Sequence, residues 1–274
     1  MPSLKCYNIF SFLEKTEIFD VFYTEKIKNE VFCPLEVKIF DLIDSTNAEA
    51  RRIALGEEWD KAPVLILAYE QSAGRGRLGR SFQSRRNEGI FMSLLYYTAE
   101  PLHNAVSVTT VAAVFVAEAI EGVVGGELKI KWVNDIYNEN GKVCGILTES
   151  VKVSDGYAII VGIGINTGDV EFPEELRGIA ASVGDVFGKE SEIVGNIASC
   201  MLRQAAYPTD REYMAGYRKR FMLDGADVVL SSGGEEIDRG RVMGVDDDGG
   251  LIFLPEGESE AKTVSSGEVT LRRI

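Results

Sequence analysis

Unbroken aliphatic runs alternate along this chain with polar, glycine-rich connections. "APVLILAYE" (62–70) and "GIFMSLLYY" (89–97) are apolar at successive rather than alternate positions, as strands covered on both faces are. "CPLEVKIFDLID" (33–44) reads as a further strand leading into "STNAEARRIALG", where Ala50, Ile53 and Ala54 fall on one helical face. Thr46 is placed to cap that helix, with Glu49 three residues on as its capping-box partner and Gly56 as the stop. An Ala/Val-rich helix is predicted from about Asn104 to Val124, ended by Gly125-Gly126. "ELKIKW", "KVCGILTES" and "YAIIVGIGIN" read as three successive strands, with a hairpin signal at Asn140-Gly141. Two more helices are predicted around 191–206 and 209–222. Residues 1–36 mix aromatic and charged residues without a clean period.

The pattern changes after Met222, where short β-rich runs are separated by Gly-Gly, Asp-Gly and Pro-Glu-Gly turns. That is the pattern of a small barrel of about five strands. The predicted organisation is therefore an extension (1–36), a mixed α/β domain (37–221) and a small β domain (222–274). Composition, at 45% hydrophobic and 26% charged, is that of a soluble globular protein with a well-buried core. The net charge of −14 argues against general affinity for nucleic acid or anionic membrane. The last segment, with 12 Asp/Glu and 5 Lys/Arg, carries −7 of it.

Glu14, Lys15 and Glu17 interrupt the opening apolar residues, so no secretory signal is expected. The run Ala105 to Ala117 is cut off by Glu118 and reads as too short to span a bilayer. Four scattered cysteines (Cys6, Cys33, Cys144, Cys200) and a single histidine exclude a zinc site of the usual kind and fit reduced thiols in the cytoplasm. His103, close to Pro101, reads as a loop residue.

The stretch "VLILAYEQSAGRGRLGRSF" (64–82) holds G-x-G-x-x-G at Gly74, Gly76 and Gly79 directly after a strand. A dinucleotide fold would run from those glycines into an amphipathic helix, but here they run into "RSFQSRRNEG" and another strand. What remains is 13 residues, Gly74 to Arg86, with five arginines and no acid. Arginine forks suit phosphate and carboxylate oxygens, and glycine lets a backbone approach a ligand closely or change shape. A mobile loop closing over an anion fits this composition, and a solvated basic loop is the alternative.

Three further clusters carry polar residues at strand ends. In "KWVND" (131–135), Lys131 could meet phosphate and Asp135 could hold Mg²⁺ or accept a proton; an ordinary Asn-Asp turn is the plainer reading. In "GKVCGIL" (141–147), Lys142 opens a strand and Cys144, by strict alternation, shares its face as a small core filler. In "VGIGIN" (161–166), Gly162 and Gly164 inside an apolar strand suggest close approach of a ligand or another backbone, with Asn166 at the strand end.

Taken in order, "DSTN", "QSAGRGRLGRSF", "KWVND", "GKVCGIL" and "VGIGIN", followed by an acidic β-rich tail, resemble biotin protein ligases from about Val37 to the C-terminal end. The resemblance implies an α/β (α+β) catalytic domain, class II aminoacyl-tRNA synthetase-like, with a mixed sheet backed by helices, and a small SH3-like C-terminal barrel. It implies ATP with Mg²⁺ (held by substrate phosphates rather than a protein metal site), biotin, and a biotin carboxyl carrier domain as acceptor. Carried over by motif, Ser45, Thr46, Asn47, Gln71, Arg75, Gly76, Arg77, Lys142, Gly145, Gly162 and Gly164 would hold biotin. Arg77, Phe82, Lys131, Asn134, Asp135 and Asn166 would hold ATP and the adenylate. Lys142, Arg75, Arg77 and Asp135 would carry catalysis, with Asp135 helping the acceptor amine lose its proton. Val133 stands where the family's motif usually has proline, and Phe82 where it commonly has tryptophan.

The rival readings are a lipoate ligase or octanoyl transferase of related fold, and a biotin-sensing regulator without catalysis. The R-R-x-S-G-G-G motif of the first is absent, and residues 1–36 fall short of a typical domain and show no helix-turn-helix pattern. The family includes dimers, so a homodimer is compatible with the resemblance.

Overall fold

The structure, a computed structural model, describes residues 24–101, 105–265 and 269–273. The first 23 residues, including Cys6, and His103 lie outside the described residues. In chain order the elements are α1 (Thr24–Glu30), β1 (Glu36–Phe40), α2 (Thr46–Leu55), β2 (Val64–Ala68), β3 (Gly89–Thr98) and α3 (Ala105–Val124). Then come β4 (Lys129–Lys131), β5 (Asp135–Asn138), β6 (Gly141–Val153), β7 (Gly156–Asn166), α4 (Glu190–Ala206) and α5 (Tyr213–Arg220). The chain ends in β8 (Asp227–Ser232), β9 (Glu235–Val245), β10 (Leu251–Pro255), β11 (Lys262–Val264) and β12 (Val269–Arg273).

The first seven strands form one mixed sheet in the order β1-β2-β3-β7-β6-β5-β4, parallel between β1 and β2 and antiparallel elsewhere. Helices cover both faces, which explains why β2 is buried at every position. On one face α2 contributes Ala50 and Ala54, packed on Val64, Ile66, Leu95, Val151 and Ile160. On the other, α1, α3, α4 and α5 build the larger core around Leu65, Met92, Val161 and Ile163. α3 has 20 residues and is long and apolar enough to cross a bilayer by length and composition. Its burial against α4, α5 and β6 makes it a core helix. Gly125 and Gly126, at φ 73° and 79°, end it in the left-handed region that glycine enters freely.

The last five strands form an antiparallel sheet in the order β11-β10-β9-β8-β12, consistent with an SH3-like module. Its inward residues Val228, Val242, Leu251 and Phe253 belong to the same continuous apolar cluster as α3 and α5. The two sheets meet at the β9–β10 turn. There Trp132 Nε1 donates to the Gly249 carbonyl at 2.8 Å, in a buried bond. A Cβ on Gly249 would stand 2.7 Å from the Thr110 side chain, so only glycine lets the turn approach α3 this closely.

Three local expectations are corrected. Ser45, not Thr46, is the N-cap of α2: its side chain accepts from Ala48 N, while Thr46 N and its hydroxyl go to Gln71 Oε1 at 2.8 and 3.2 Å. Glu49 is no capping-box partner, because its carboxylate takes Arg52 Nε at 2.7 Å. Residues 127–153 form three strands where two were expected, Asp135–Asn138 being an additional short one.

Candidate active site

The site lies where α2 begins. Under the body of α2 the sheet carries Leu95, Val151 and Ile160. Further along the same pleated face, the positions become Ser93 on β3, Gly162 and Gly164 on β7, and Leu147 and Gly145 on β6. Ser93 faces Gly162, and Gly145 faces Gly164. Losing side chains there opens a hollow beside the first turn of α2.

Each glycine gives space to a named neighbour. A Cβ on Gly162 would stand 2.0 Å from Asn47 Oδ1, and one on Gly164 2.5 Å from the Phe82 ring. A Cβ on Gly145 would stand 3.2 Å from Lys142 Nζ. The cavity above them, about 50 Å³, is lined by Ser45, Thr46, Asn47, Gln71, Arg75, Gly76, Arg77, Phe82, Asn134 and Lys142, together with the three glycines. Thirteen residues singled out from sequence are thus brought together. Lys131, Asp135 and Asn166 are not part of the wall. Asn166 Nδ2 instead donates to the Ala181 carbonyl at 3.0 Å, pinning the loop that crosses the start of β6. Lys131 pairs with Asp135 across β4 and β5 as a strand neighbour.

Lys142 reaches the hollow because of an irregularity that the sequence does not show. Tyr137 opposes Lys142 and its neighbour Ile136 opposes Cys144, so Val143 is an extra residue, a β-bulge. The bulge reverses the alternation, and the lysine shares a face with Gly145 rather than with Cys144. The expectation that Lys142 and Cys144 share a face is therefore wrong. Cys144 turns fully into the core, and burial pushes its thiol pKa well up. Cys144 is thereby no nucleophile.

The positive groups are held from below. Lys142 Nζ stands 2.7 Å from Asp135 Oδ1, close enough for an ion pair. That carboxylate oxygen is buried, with the ammonium as its close charged neighbour. Arg77 Nη1 donates to Asn134 Oδ1 at 2.6 Å, and Asn134 Nδ2 donates to the Ile146 carbonyl at 3.0 Å. Burial draws the Arg77 pKa below its usual value, opposed by Asp135; an arginine remains charged regardless. Burial also raises the Tyr137 hydroxyl to about 12, with Asp135 adding to it. The Trp132–Val133 peptide, where the motif departs from proline, is cis.

The glycine–arginine segment is a hairpin-like loop. Phe82 N donates to the Gly74 carbonyl at 2.9 Å and Gly76 N to the Arg80 carbonyl at 2.7 Å, with a 3₁₀ turn at Arg77–Gly79. Its five arginines divide. Arg75 and Arg77 face the cavity, Arg80 is exposed at the tip, Arg85 lies 3.9 Å from Glu88, and Arg86 pairs with Asp41. The last two do not line the cavity.

Sequence reasoning missed Ser84, Ser93 and Glu149. Gln71 Nε2 donates to Ser84 Oγ at 2.8 Å, Ser93 Oγ donates to Asn47 Oδ1 at 2.6 Å, and Asn47 Nδ2 donates to Glu149 Oε2 at 2.8 Å. No local signal marks them, since each is chosen by a partner 13 to 102 residues away.

Residues 39–166, which carry α2, the arginine loop and β3 to β7, match the biotin/lipoate A/B protein ligase family. The bifunctional ligase/repressor BirA of Bacillus spizizenii is 33% identical over 244 residues, spanning 84% of this chain and 72% of that protein. The chain belongs to this ligase family. The biotin--[acetyl-CoA-carboxylase] ligase of Mycobacterium tuberculosis is 29% identical across 82% of the chain and 85% of that ligase. Among solved structures, the biotin protein ligase of Aquifex aeolicus in complex with biotin and ATP superposes with a TM-score of 0.71 at 28% identity. That match covers 87% of this chain and 99% of the Aquifex ligase.

Proposed function

We propose that this protein is an ATP-dependent biotin protein ligase. It activates biotin as biotinyl-5′-AMP with release of pyrophosphate, then transfers the biotinyl group to a lysine of a biotin carboxyl carrier domain. The observation that carries the reading is the meeting of Lys142 and Arg77 over a floor of three glycines beside the α2 N-terminus.

A carboxylate and a triphosphate repel each other, and the carboxylate is a weak nucleophile. Fixed cations at their meeting point lower that barrier without reorganising during the reaction. Lys142 supplies one such charge. Arg77, held by Asn134, supplies another in planar form suited to phosphoryl oxygens. A biotin carboxylate oxygen attacks the α-phosphorus, pyrophosphate leaves, and Arg75 and Gly76 cover the mixed anhydride against water. In the second step the acceptor amine attacks the acyl carbon and AMP leaves. Asp135 lies behind the wall, 2.7 Å from Lys142 Nζ, and once the ligand draws Lys142 away its carboxylate can take the amine's proton.

Among the described residues no three His, Cys, Asp or Glu side chains converge. Mg²⁺ would be held by triphosphate oxygens and water, where it would neutralise phosphate charge; Asp135, 2.7 Å from Lys142 Nζ, is a carboxylate beside that charge.

The test is incubation with ATP, Mg²⁺, biotin and a purified carrier domain, followed by intact mass of the acceptor. Addition of one biotinyl group, lost when the acceptor lysine is replaced, supports the proposal. Transfer of octanoate or lipoate instead, or of nothing, refutes it.

A further inference from the structure

The arginine loop leaves the sheet after β2 and returns to it at β3, and both of its feet stand on one strap, residues 40–44 between β1 and α2. The entry foot is sewn down by its backbone. Tyr69 N donates to the Phe40 carbonyl at 3.0 Å, and Ser72 N and Ala73 N donate to the Ile43 and Asp44 carbonyls, both at 2.8 Å. The far end of the strap is fixed in turn, because Arg52 of α2 donates through Nη1 and Nη2 to the two Asp44 carboxylate oxygens at 3.0 and 2.8 Å.

The exit foot has no such ladder. Among the described residues no backbone bond joins residues 83–88 to the strap. One side chain makes that connection. Arg86 Nη2 donates to the Asp41 carbonyl at 3.2 Å and pairs with the Asp41 carboxylate, and the guanidinium lies 5.4 Å from the centre of the Tyr69 ring. These contacts converge on a side chain that is 28% exposed. Its neighbour Arg85, 58% exposed, stands 3.9 Å from Glu88. Directly after Arg86 the chain turns through Asn87 at φ 64°, a left-handed conformation that asparagine tolerates, and enters β3.

We propose that Arg86 is the hinge anchor of the arginine loop, a positioning residue that pins the exit foot to Asp41 so that Arg75, Gly76 and Arg77 close over a bound acyl-adenylate and retain it. The inference rests on the reading of this loop as the cover of the reaction centre. A loop tied at one foot samples many arrangements that leave the pocket open. Fixing the second foot removes those arrangements, so less ordering is left for the ligand to bring about. Arg86 touches no ligand itself; it acts through the segment it holds.

The experiment has a ligand-free and a liganded arm, run on the whole chain for wild type, Arg86→Ala, Asp41→Ala, their double variant and Arg85→Ala. In the first arm, trypsin cleavage at Arg80, exposed at the loop tip, reports how often the loop opens. Arg86→Ala is expected to be nicked about fivefold faster, the loss of one half-exposed ion pair with its hydrogen bond, at an unchanged urea midpoint. Asp41→Ala shifts the rate in the same direction, and the double variant goes no further than Arg86→Ala. Arg85→Ala, which removes the same charge, stays at the wild-type rate. In the second arm the enzyme is loaded with biotin and ATP without acceptor, and free adenylate is measured in the filtrate. Arg86→Ala is expected to release it about fivefold faster, while the first turnover of pyrophosphate formation keeps its rate. Wild-type nicking or wild-type adenylate release in Arg86→Ala, an equal effect in Arg85→Ala, additivity in the double variant, or a urea midpoint falling in step with nicking overturns the anchor. A wild-type enzyme that forms no adenylate sinks the ligase reading instead, and the trypsin arm still decides whether Arg86 holds the loop.

Discussion

The Lys142 ammonium lies 2.7 Å from Asp135 Oδ1, on a strand pair whose bulge aims the lysine into the cavity. The two residues therefore cannot be substituted with the same result. Lys142→Ala removes the charge proposed to join carboxylate and phosphate, and pyrophosphate exchange is expected to fall by about 10²–10³ or more. Asp135→Asn keeps the lysine and is expected to retain exchange within about tenfold, while transfer from preformed biotinyl-adenylate slows by about 10²-fold or more. Single-turnover assays of each half-reaction separate them. Equal loss in both halves for Asp135→Asn would remove its assigned role.

Gly162→Ala places a methyl against Asn47, 2.0 Å from Oδ1. It is expected to abolish measurable biotin binding and to cost about 1–3 kcal/mol of stability through overpacking. Gly122→Ala is the control: near the end of α3 its added Cβ meets nothing within 4 Å. Helix propensity alone then stabilises by about 0.5–1 kcal/mol. Calorimetric titration and urea midpoints check the pair.

Trp132→Phe keeps the ring's apolar body and deletes the donor to the Gly249 carbonyl. The expected cost is about 1–3 kcal/mol, because a buried carbonyl loses its partner. Urea unfolding measures it, and an unchanged midpoint would show that water or another donor replaces the indole.

Cys144 has no accessible surface, and burial raises its thiol pKa. At pH 8 the thiol stays protonated, so iodoacetamide should spare Cys144 in the native protein and modify it once the chain is unfolded. Peptide mapping by mass spectrometry reads this directly; rapid native labelling would contradict the core placement.

Much of this was legible because the signals were local. The run Val64–Ala68 is apolar at every position and is a fully buried strand, and Gly125-Gly126 ends α3 where two left-handed residues are needed. What was not legible depends on partners remote in sequence. Thr46 lost its capping role to Ser45 because Gln71, 25 residues away, takes its N–H and hydroxyl. Cys144 was placed on the wrong face because strict alternation holds only without a bulge. Ser93 carries no signal of its own in the sequence; only pairing sets it opposite Gly162 and beside Asn47. The count of five arginines in one segment did not show that Arg85 and Arg86 lie beside Glu88 and Asp41 rather than at the cavity.

The continuous apolar cluster from α3 and α5 into β8, β9 and β10 has a further effect. Neither sheet can open without exposing residues that stabilise the other, so heat or denaturant should meet one cooperative unit. The peptide that carries Asn134, the partner of Arg77, is tied through Trp132 to a turn between C-terminal strands. A change at that turn would thus reach the cavity wall through one buried hydrogen bond, and ligand binding would report on the integrity of the tail.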